Sequence, residues 1–435
     1  MLEDTIVALA TPPGKAGVAI VRISGSKSKE ILQKISKSDC EFKARYMYLK
    51  KIYLDDIVDD ALLVYFSAPN SYTGEDVAEI QSHGGFFVAQ QVIKQCLKFG
   101  ARMAEPGEYS KRAFLNGKIS FDQAEGIIDL INAESKAQAK SGSVLLQGKL
   151  FDIINHIQTE LTDILAEIEA KLDYPEYEYL DSENEQVLNR LNEIKTELNS
   201  LLSTKISGLM IKNGVKVAIV GAPNAGKSSL LNALTDSDKS IVTDIAGTTR
   251  DIVEAEYVYK GIVFRLFDTA GIRESEDVVE KIGIDRARKS IEDADFVLKL
   301  IDLSNPQDIE VCNKPMLTVF NKVDLADQPK LVKDEIYISA KTGKNIDELK
   351  EMIFNSTLLD GYNNEQFYLT NERHIQCVEK AIQYLSNAID TFKTISLDFV
   401  VADIHSCWEA LGEISGVNSN ERIIDRIFEK FCLGK

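Results

Sequence analysis

The chain has 435 residues, with 50 Lys and Arg against 68 Asp and Glu, which leaves a formal charge of −18. At roughly 100–200 residues per domain the length suggests about two to four domains. The composition, 44% hydrophobic and 27% charged, argues against global disorder. So acidic a chain is no general nucleic-acid adhesive, and any nucleic acid it handles must be met through a local basic patch or a bound partner.

The opening residues lack the basic-then-apolar order of a secretory signal. Residues 1–118 read as mixed α/β, with extended runs at Thr5–Ala10, Val18–Ile23, Ala61–Phe66 and Val77–Gln81 separated by turns such as Pro12-Pro13-Gly14. A helix is expected after His83-Gly84-Gly85, using Val88, Val92 and Leu97. Ser120 and Gln123 fit a capping box, followed by Ala124, Ile127, Ile128 and Ile131 at helical spacing. Ile154, Ile157, Leu161, Ile164 and Ile168 form a helical stripe, and Leu188, Leu191, Ile194, Leu198 and Leu201 resume it after Asp173-Tyr174-Pro175-Glu176. Residues 119–212 therefore read as helical, with the stripes as bundle core.

From residue 213 the texture changes to short apolar runs at Val215–Val220, Val263–Phe267, Phe296–Ile301, Met316–Phe320 and Ile336–Ile338, as in buried strands of a parallel sheet. Helical spacing returns after residue 357 with Val378, Ile382, Leu385 and Ile389, then Ile423, Ile427 and Phe431. The reading is an α/β unit, 213–357, inserted into a helical domain made of 119–212 and 358–435. No apolar run nears the roughly 18 residues of a membrane span. Six scattered cysteines without CxxC spacing fit reduced thiols in a cytoplasmic protein.

Gly221-Ala222-Pro223-Asn224-Ala225-Gly226-Lys227-Ser228 matches GxxxxGK[ST] between an expected strand and an expected helix, the context a phosphate-binding loop requires. Its backbone N–H groups can close around phosphate at a helix N-terminus. Lys227 would bridge the β- and γ-phosphates, and Ser228 would ligate Mg²⁺. Gly247-Thr248-Thr249 offers a threonine to metal and γ-phosphate. Asp268-Thr269-Ala270-Gly271 places a carboxylate near Mg²⁺ and a glycine N–H near the γ-phosphate. In Asn321-Lys322-Val323-Asp324, Asp324 can accept the N1–H and amine donors that distinguish guanine from adenine. Ser339-Ala340-Lys341 supports the base. The nucleotide expected is GTP.

In Ras-like enzymes a glutamine directly after this turn orients the attacking water, but here Ile272 stands there. Asn224 is the candidate substitute. Its side-chain carbonyl either holds a K⁺ beside the phosphates, in place of an arginine finger worth roughly 10³–10⁵ in rate, or serves the turn alone.

The chain resembles, end to end, the MnmE (TrmE) type of tRNA-modification GTPase. The resemblance rests on Asp4-Thr5-Ile6-Val7-Ala8, Thr11-Pro12-Pro13-Gly14, Asn70-Ser71-Tyr72-Thr73-Gly74-Glu75-Asp76, Pro106-Gly107-Glu108 and Arg112-Ala113-Phe114-Leu115-Asn116-Gly117-Lys118, the GTPase set, and the terminal Phe431-Cys432-Leu433-Gly434-Lys435. It implies a folate-binding and dimerising N-terminal domain (1–118), a helical domain, and an inserted Ras-like G domain. It also implies a homodimer, a flavin-dependent MnmG (GidA) type partner in a hetero-oligomer, tRNA as substrate, and an aminomethyl-type group placed on C5 of the wobble uridine. The one-carbon donor would be 5-formyltetrahydrofolate or a related folate.

By the same resemblance Asn224, Thr243, Ile245 and Thr248 would hold K⁺, and Ser228 and Thr249 would hold Mg²⁺. Ala225, Gly226, Lys227, Ser229, Asp244, Ala246, Gly247, Asp268, Thr269, Ala270, Lys322, Ala340 and Lys341 complete the GTP contacts. Glu280, Lys227 and Gly271 would form the catalytic set, with Glu280 positioning water through intervening waters. Arg22, Glu79, Lys118 and Lys435 would contact folate: a carboxylate suits the pterin donors, and Arg and Lys suit the glutamate tail. Cys432 reads equally as a reactive thiol or a buried structural one and is left out of the set. The stretch between Asp302 and Asn321 is shorter than the family pattern suggests. A ribosome-assembly type GTPase switch is the alternative function, though it leaves residues 1–118 and the FCLGK end unassigned. A dynamin-like membrane GTPase is weaker, since no basic amphipathic helix is evident.

Overall fold

A computed structural model describes residues 4–173, 181–236, 255–268, 291–307, 314–325, 335–357, 366–392 and 397–416, together with 425, 427–429, 431 and 434. The chain divides into two compact units. One comprises Met1–Ile128, Leu145–Tyr179 and Asp390–Lys435, and the other Asp129–Val144 and Leu180–Ile389.

Unit one is built on a six-stranded sheet of β1 (Ile6–Leu9), β2 (Val18–Ser24), β3 (Met47–Leu54), β4 (Ile57–Phe66), β5 (Val77–His83) and β6 (Arg102–Met103), in the order β3-β4-β5-β2-β1-β6. All its pairings are antiparallel except β1 with β6. Helices α1 (Ser28–Ser36) and α2 (Phe86–Lys98) supply Ile31, Leu32, Ile35, Ala89, Val92 and Cys96 to a core shared with Val21, Ile23, Leu63 and Ile80. The sequence reading passed over α1 and β3. Lys50-Lys51 interrupts the apolar alternation that would mark β3, and edge strands tolerate such charge because only one side is paired.

Helix α3 (Glu108–Leu115) starts at Gly107, whose φ of +69° and closeness to Phe428 (an added Cβ would meet its carbonyl oxygen at 2.2 Å) both require glycine. Helix α4 (Phe121–Ile131) forms half of the expected capping box. The Ser120 N–H donates to Gln123 Oε1 at 2.8 Å, but Ser120 Oγ turns to Asp122 Oδ1 at 2.6 Å. After α5 (Lys136–Leu146), α6 (Lys149–Asp173) buries Ile154, Ile157, Leu161, Ile164 and Ile168, the stripe read from the sequence.

In unit two, α7 (Asp181–Ser203) buries Val187, Leu191, Ile194, Leu198 and Leu201; Leu188 is only half-buried, so the seam starts one residue earlier than expected. Helix α8 (Lys205–Asn213) leads into a second sheet, six-stranded among the described residues. Its strands are β7 (Val215–Gly221), β8 (Ala255–Tyr259), β9 (Ile262–Asp268), β10 (Phe296–Asp302), β11 (Met316–Asn321) and β12 (Ile336–Tyr337), in the order β12-β11-β10-β7-β9-β8. Among the described residues every pairing of this sheet is parallel except the β8–β9 hairpin. Strand β8 lay outside the sequence reading; its Ala-Glu-Tyr-Val-Tyr is an edge strand without a continuous apolar run. Helices α9 (Lys227–Asp236) and α10 (Ile346–Ser356) add Leu230, Leu234, Leu349 and Ile353 to the core with Val217, Ile219, Phe264 and Leu298. The unit closes with α11 (Glu372–Phe392), which buries Val378, Leu385 and Ile389 and leaves Ile382 half-buried. Helix α12 (Leu397–Ser415) belongs to unit one, where Gln158 Nε2 of α6 donates to the Trp408 carbonyl at 2.9 Å.

Candidate functional site

In unit two the central strand β7 ends at Gly221, where an added Cβ would meet the Leu300 carbonyl oxygen at 2.6 Å. The loop turns through Asn224 at φ +64° and Gly226 at φ +97°, both in the left-handed region, and closes with Ala225 N–H on the Ala222 carbonyl at 3.2 Å. Helix α9 then starts at Lys227, so free N–H groups of its first turn face the loop. Lys227 Nζ donates to the Gly221 carbonyl at 3.0 Å, which holds its charge over the cradle. Asn224, Ser228 and Ser229 are all exposed. A loop whose conformation only small residues permit, ending on a helix N-terminus with a lysine folded over it, fits a nucleotide phosphate chain.

Asn321, at the end of β11, is 2% exposed. Its Nδ2 donates to the Ala225 carbonyl at 2.8 Å, and its Oδ1 accepts from the Ala340 N–H at 3.0 Å. One side chain thus joins the phosphate loop to the Ser339-Ala340-Lys341 segment. The same amide explains Gly226, where an added Cβ would strike Asn321 Nδ2 at 2.3 Å. Lys322, at φ +67°, pairs with Asp302 Oδ2 at 2.6 Å. Burial alone would raise the Asp302 carboxyl, but hydrogen bonds from Lys322 and Ser304 outweigh it and hold it below the ordinary range.

Asp324 is likewise held low, chiefly by a hydrogen bond from Ser339, with Lys341 and Lys322 adding positive charge nearby. It therefore stays an ionised acceptor. Buried Ser339 also accepts from the Thr342 N–H at 3.2 Å. The Ser339–Lys341 segment lies just past β12 rather than on it. Asp268 closes β9. Thr243, Asp244, Ile245, Ala246, Gly247, Thr248, Thr249, Thr269, Ala270, Gly271, Ile272 and Glu280 lie outside the described residues.

In unit one Arg22 and Glu79 stand opposite each other on β2 and β5. Arg22 Nε and Nη2 both reach Glu79 Oε1 at 2.9 Å. The guanidinium carbon lies 5.5 Å from the Tyr72 ring centre and 5.9 Å from that of Tyr109, whose hydroxyl donates to the Arg22 carbonyl at 2.6 Å. Arg22 Nη1 also reaches the Gly434 carbonyl at 3.5 Å. Gly434, at φ +95°, sits so tightly on β1 that an added Cβ would meet the Leu9 carbonyl oxygen at 2.3 Å. Lys118 is exposed, its stem beside Gly74 in the loop that carries Tyr72. Arg22, Glu79 and Gly434 are therefore brought together, with Lys118 on the adjoining loop; Lys435 lies outside the described residues. A carboxylate and a guanidinium beside the exposed Tyr72 ring, backed by the buried Tyr109, fit a flat, polar heterocycle with an anionic tail.

Tyr72, Tyr109 and the Gly434 carbonyl were missed as site groups. Tyr72 and Gly434 lie inside the motifs that carry the family resemblance, but only the fold places them against Arg22. Those motifs also share a buried charge network. Arg112, 1% exposed, pairs through Nη2 with Asp4 Oδ1 at 2.8 Å and Glu108 Oε1 at 2.9 Å, and through Nη1 with Glu75 Oε2 at 3.1 Å. Asn116 Nδ2 donates to the Thr73 carbonyl at 2.8 Å.

Two family models match the chain: GTP-binding protein TrmE N-terminus over residues 5–118 and MnmE helical domain over residues 121–432. A protein of Natranaerobius thermophilus named tRNA modification GTPase MnmE is 39% identical over 460 residues, covering 100% of both chains. The protein of that name from Thermotoga maritima is 40% identical over 451 residues, covering 99% of this chain and 100% of its own. Among solved structures, an Era protein of Aquifex aeolicus is 29% identical over 39% of this chain and 65% of its own, at a TM-score of 0.26. The G domain of a Thermotoga maritima FeoB is 30% identical over 33% and 98%, at 0.25.

Proposed function

The chain belongs to the MnmE (TrmE) family of tRNA modification GTPases, and on that premise we propose that potassium-stimulated GTP hydrolysis drives modification of tRNA wobble uridine. With a flavin-dependent partner of MnmG (GidA) type, the enzyme adds an aminomethyl-type group, carboxymethylaminomethyl or similar, to C5 of that base. The proposed organisation is a folate-binding and dimerising domain over 1–118, a helical domain over 119–212 and 358–435, and a G domain over 213–357 inserted in it.

The carrying observation is the double hydrogen bond of Asn321, which ties the phosphate loop to the segment beside Asp324. GTP is read at both ends by parts of one preorganised cradle. Mg²⁺ is held by Ser228 and Thr249, and K⁺ by Asn224, Thr243, Ile245 and Thr248. Glu280, Lys227 and Gly271 serve hydrolysis. A K⁺ held there would supply the transition-state charge of an arginine finger, and Glu280 would position the water that Ile272 cannot orient. Arg22, Glu79, Lys118 and Lys435 hold the folate that donates the one-carbon unit. A homodimer brings two G domains together for hydrolysis.

Nucleoside analysis of tRNA from cells lacking this chain tests the proposal. Loss of the C5 substituent from wobble uridine supports it. Unchanged wobble uridine with accumulated ribosomal precursors favours a ribosome-assembly switch.

A further inference from the structure

The acidity of the chain is uneven. Residues 1–118 hold 16 Lys and Arg against 14 Asp and Glu, so the whole acidic excess lies beyond them. Within that segment, residues 27–51 hold eight basic residues and three acidic ones. The fold gathers them at one side of the sheet in unit one: helix α1, the segment after it, and β3, the edge strand.

Two of the acidic side chains are taken up by other lysines, Glu30 by Lys34 at 2.6 Å and Glu41 by Lys29 at 3.8 Å. Lys37, Lys43, Lys50 and Lys51 have no ion pair among the described residues, and all but half-buried Lys50 are exposed. Aromatic rings stand among them. Tyr46 is 60% exposed and packs edge-on to Tyr48 at 4.9 Å, and Lys37 Nζ lies 4.3 Å from the Tyr53 ring centre. Lysines on an edge strand also deter strand pairing. That accounts for Lys50 and Lys51, but not for Lys37 and Lys43, which lie off the strand, nor for a tyrosine presented to solvent between them.

This edge is continuous with the Arg22 site. Arg45 Nη2 donates to the Asn70 carbonyl at 3.2 Å, and Asn70 opens the loop that carries Tyr72 onto Arg22.

We propose that the α1–β3 edge is an RNA-docking surface, on which Lys37, Lys43, Lys50 and Lys51 meet phosphates and Tyr46 offers its ring to an unstacked base. The proposal rests on the reading of the chain as a tRNA-modifying enzyme and gives that reading its local basic patch.

The test is binding of unmodified tRNA transcript by the full-length protein across a KCl titration. A variant combining Lys37→Gln, Lys43→Gln, Lys50→Gln and Lys51→Gln weakens binding about tenfold or more at low salt. It also flattens the slope of log affinity against log salt by about 3, at roughly 0.7–0.9 for each phosphate no longer neutralised. Tyr46→Ala weakens binding with the slope unchanged. GTP turnover is the same in all three proteins, which verifies their folding. Wild-type affinity and slope in the four-lysine variant would overturn the proposal, as would preferential binding of wild type to phosphatidylglycerol vesicles over tRNA. If the variant binds normally while deletion of the chain still abolishes wobble modification, the surface falls and the enzymatic reading stands. If deletion leaves wobble uridine unchanged, the reading falls and takes the surface with it.

Discussion

Asn321 and Ala225 are 96 residues apart in sequence, yet the Asn321 side-chain amide donates to the Ala225 carbonyl at 2.8 Å, so the end of β11 and the glycine-containing loop after β7 are one hydrogen-bonded object. The same side chain accepts the Ala340 N–H. Asn321→Ala removes both bonds and strands a buried donor and acceptor, each worth about 1–3 kcal/mol. The expected outcome is a lower melting temperature and a weaker GDP affinity, by about tenfold or more. Nucleotide-dependent thermal shift and fluorescent-GDP titration check both.

Gly226→Ala should abolish nucleotide binding without unfolding unit one. The new methyl would sit 2.3 Å from Asn321 Nδ2 on a backbone at φ +97°. Fluorescent-GDP titration, with folate binding as the control for unit one, reads the result.

Arg22→Ala removes the guanidinium that joins Glu79, two tyrosine rings and the Gly434 carbonyl. Calorimetry with 5-formyltetrahydrofolate should show an affinity loss of about tenfold or more, as expected for charge-assisted hydrogen bonds. GTP turnover by the isolated protein should not change.

The Arg112 network predicts a pH signature. Burial works to raise the Asp4 and Glu108 carboxyls, but hydrogen bonds from Arg102 and Arg112 outweigh it and hold both below their ordinary values of 3.8 and 4.5. Groups lowered in the folded state stabilise it fully above their unfolded values, and that contribution is lost as pH falls through the folded ones. Arg112→Gln removes the buried cation shared by Asp4, Glu75 and Glu108, leaves Glu108 its pair with Arg102, and should cost about 1–3 kcal/mol near neutral pH. The deficit should shrink as pH falls through the carboxylate range, where Asp4 and Glu108 take up protons and the wild type loses the same contribution. Hydrogen-exchange protection of α3, measured in wild type and variant across pH, checks the magnitude and the sign.

The parallel strands of the second sheet were legible because burial on both faces writes them as short apolar runs. Val215–Val220 and Phe296–Ile301 each fell within one residue of the observed strands. Edge strands were not: β3 carries Lys50-Lys51, β8 carries Glu256, and neither needs two apolar faces. In the candidate site, local spacing located Gly226, Lys227, Asn321 and Asp324. What Asn321 bonds to was hidden, because both partners lie far along the chain and the fold alone brings them near. The rings around Arg22 were hidden for the same reason: Tyr72 and Tyr109 are ordinary tyrosines until β2, the loop after β4 and helix α3 converge.

The claim that a monovalent cation completes the GTPase machinery is tested most directly by steady-state GTP turnover of the purified full-length protein in potassium and in sodium buffers at equal ionic strength. Turnover should be faster in potassium by about tenfold or more, given what an arginine finger is worth. The advantage should vanish in Asn224→Gly, which tolerates the φ of +64° but removes the side-chain carbonyl. Equal turnover of wild type in the two salts would contradict it.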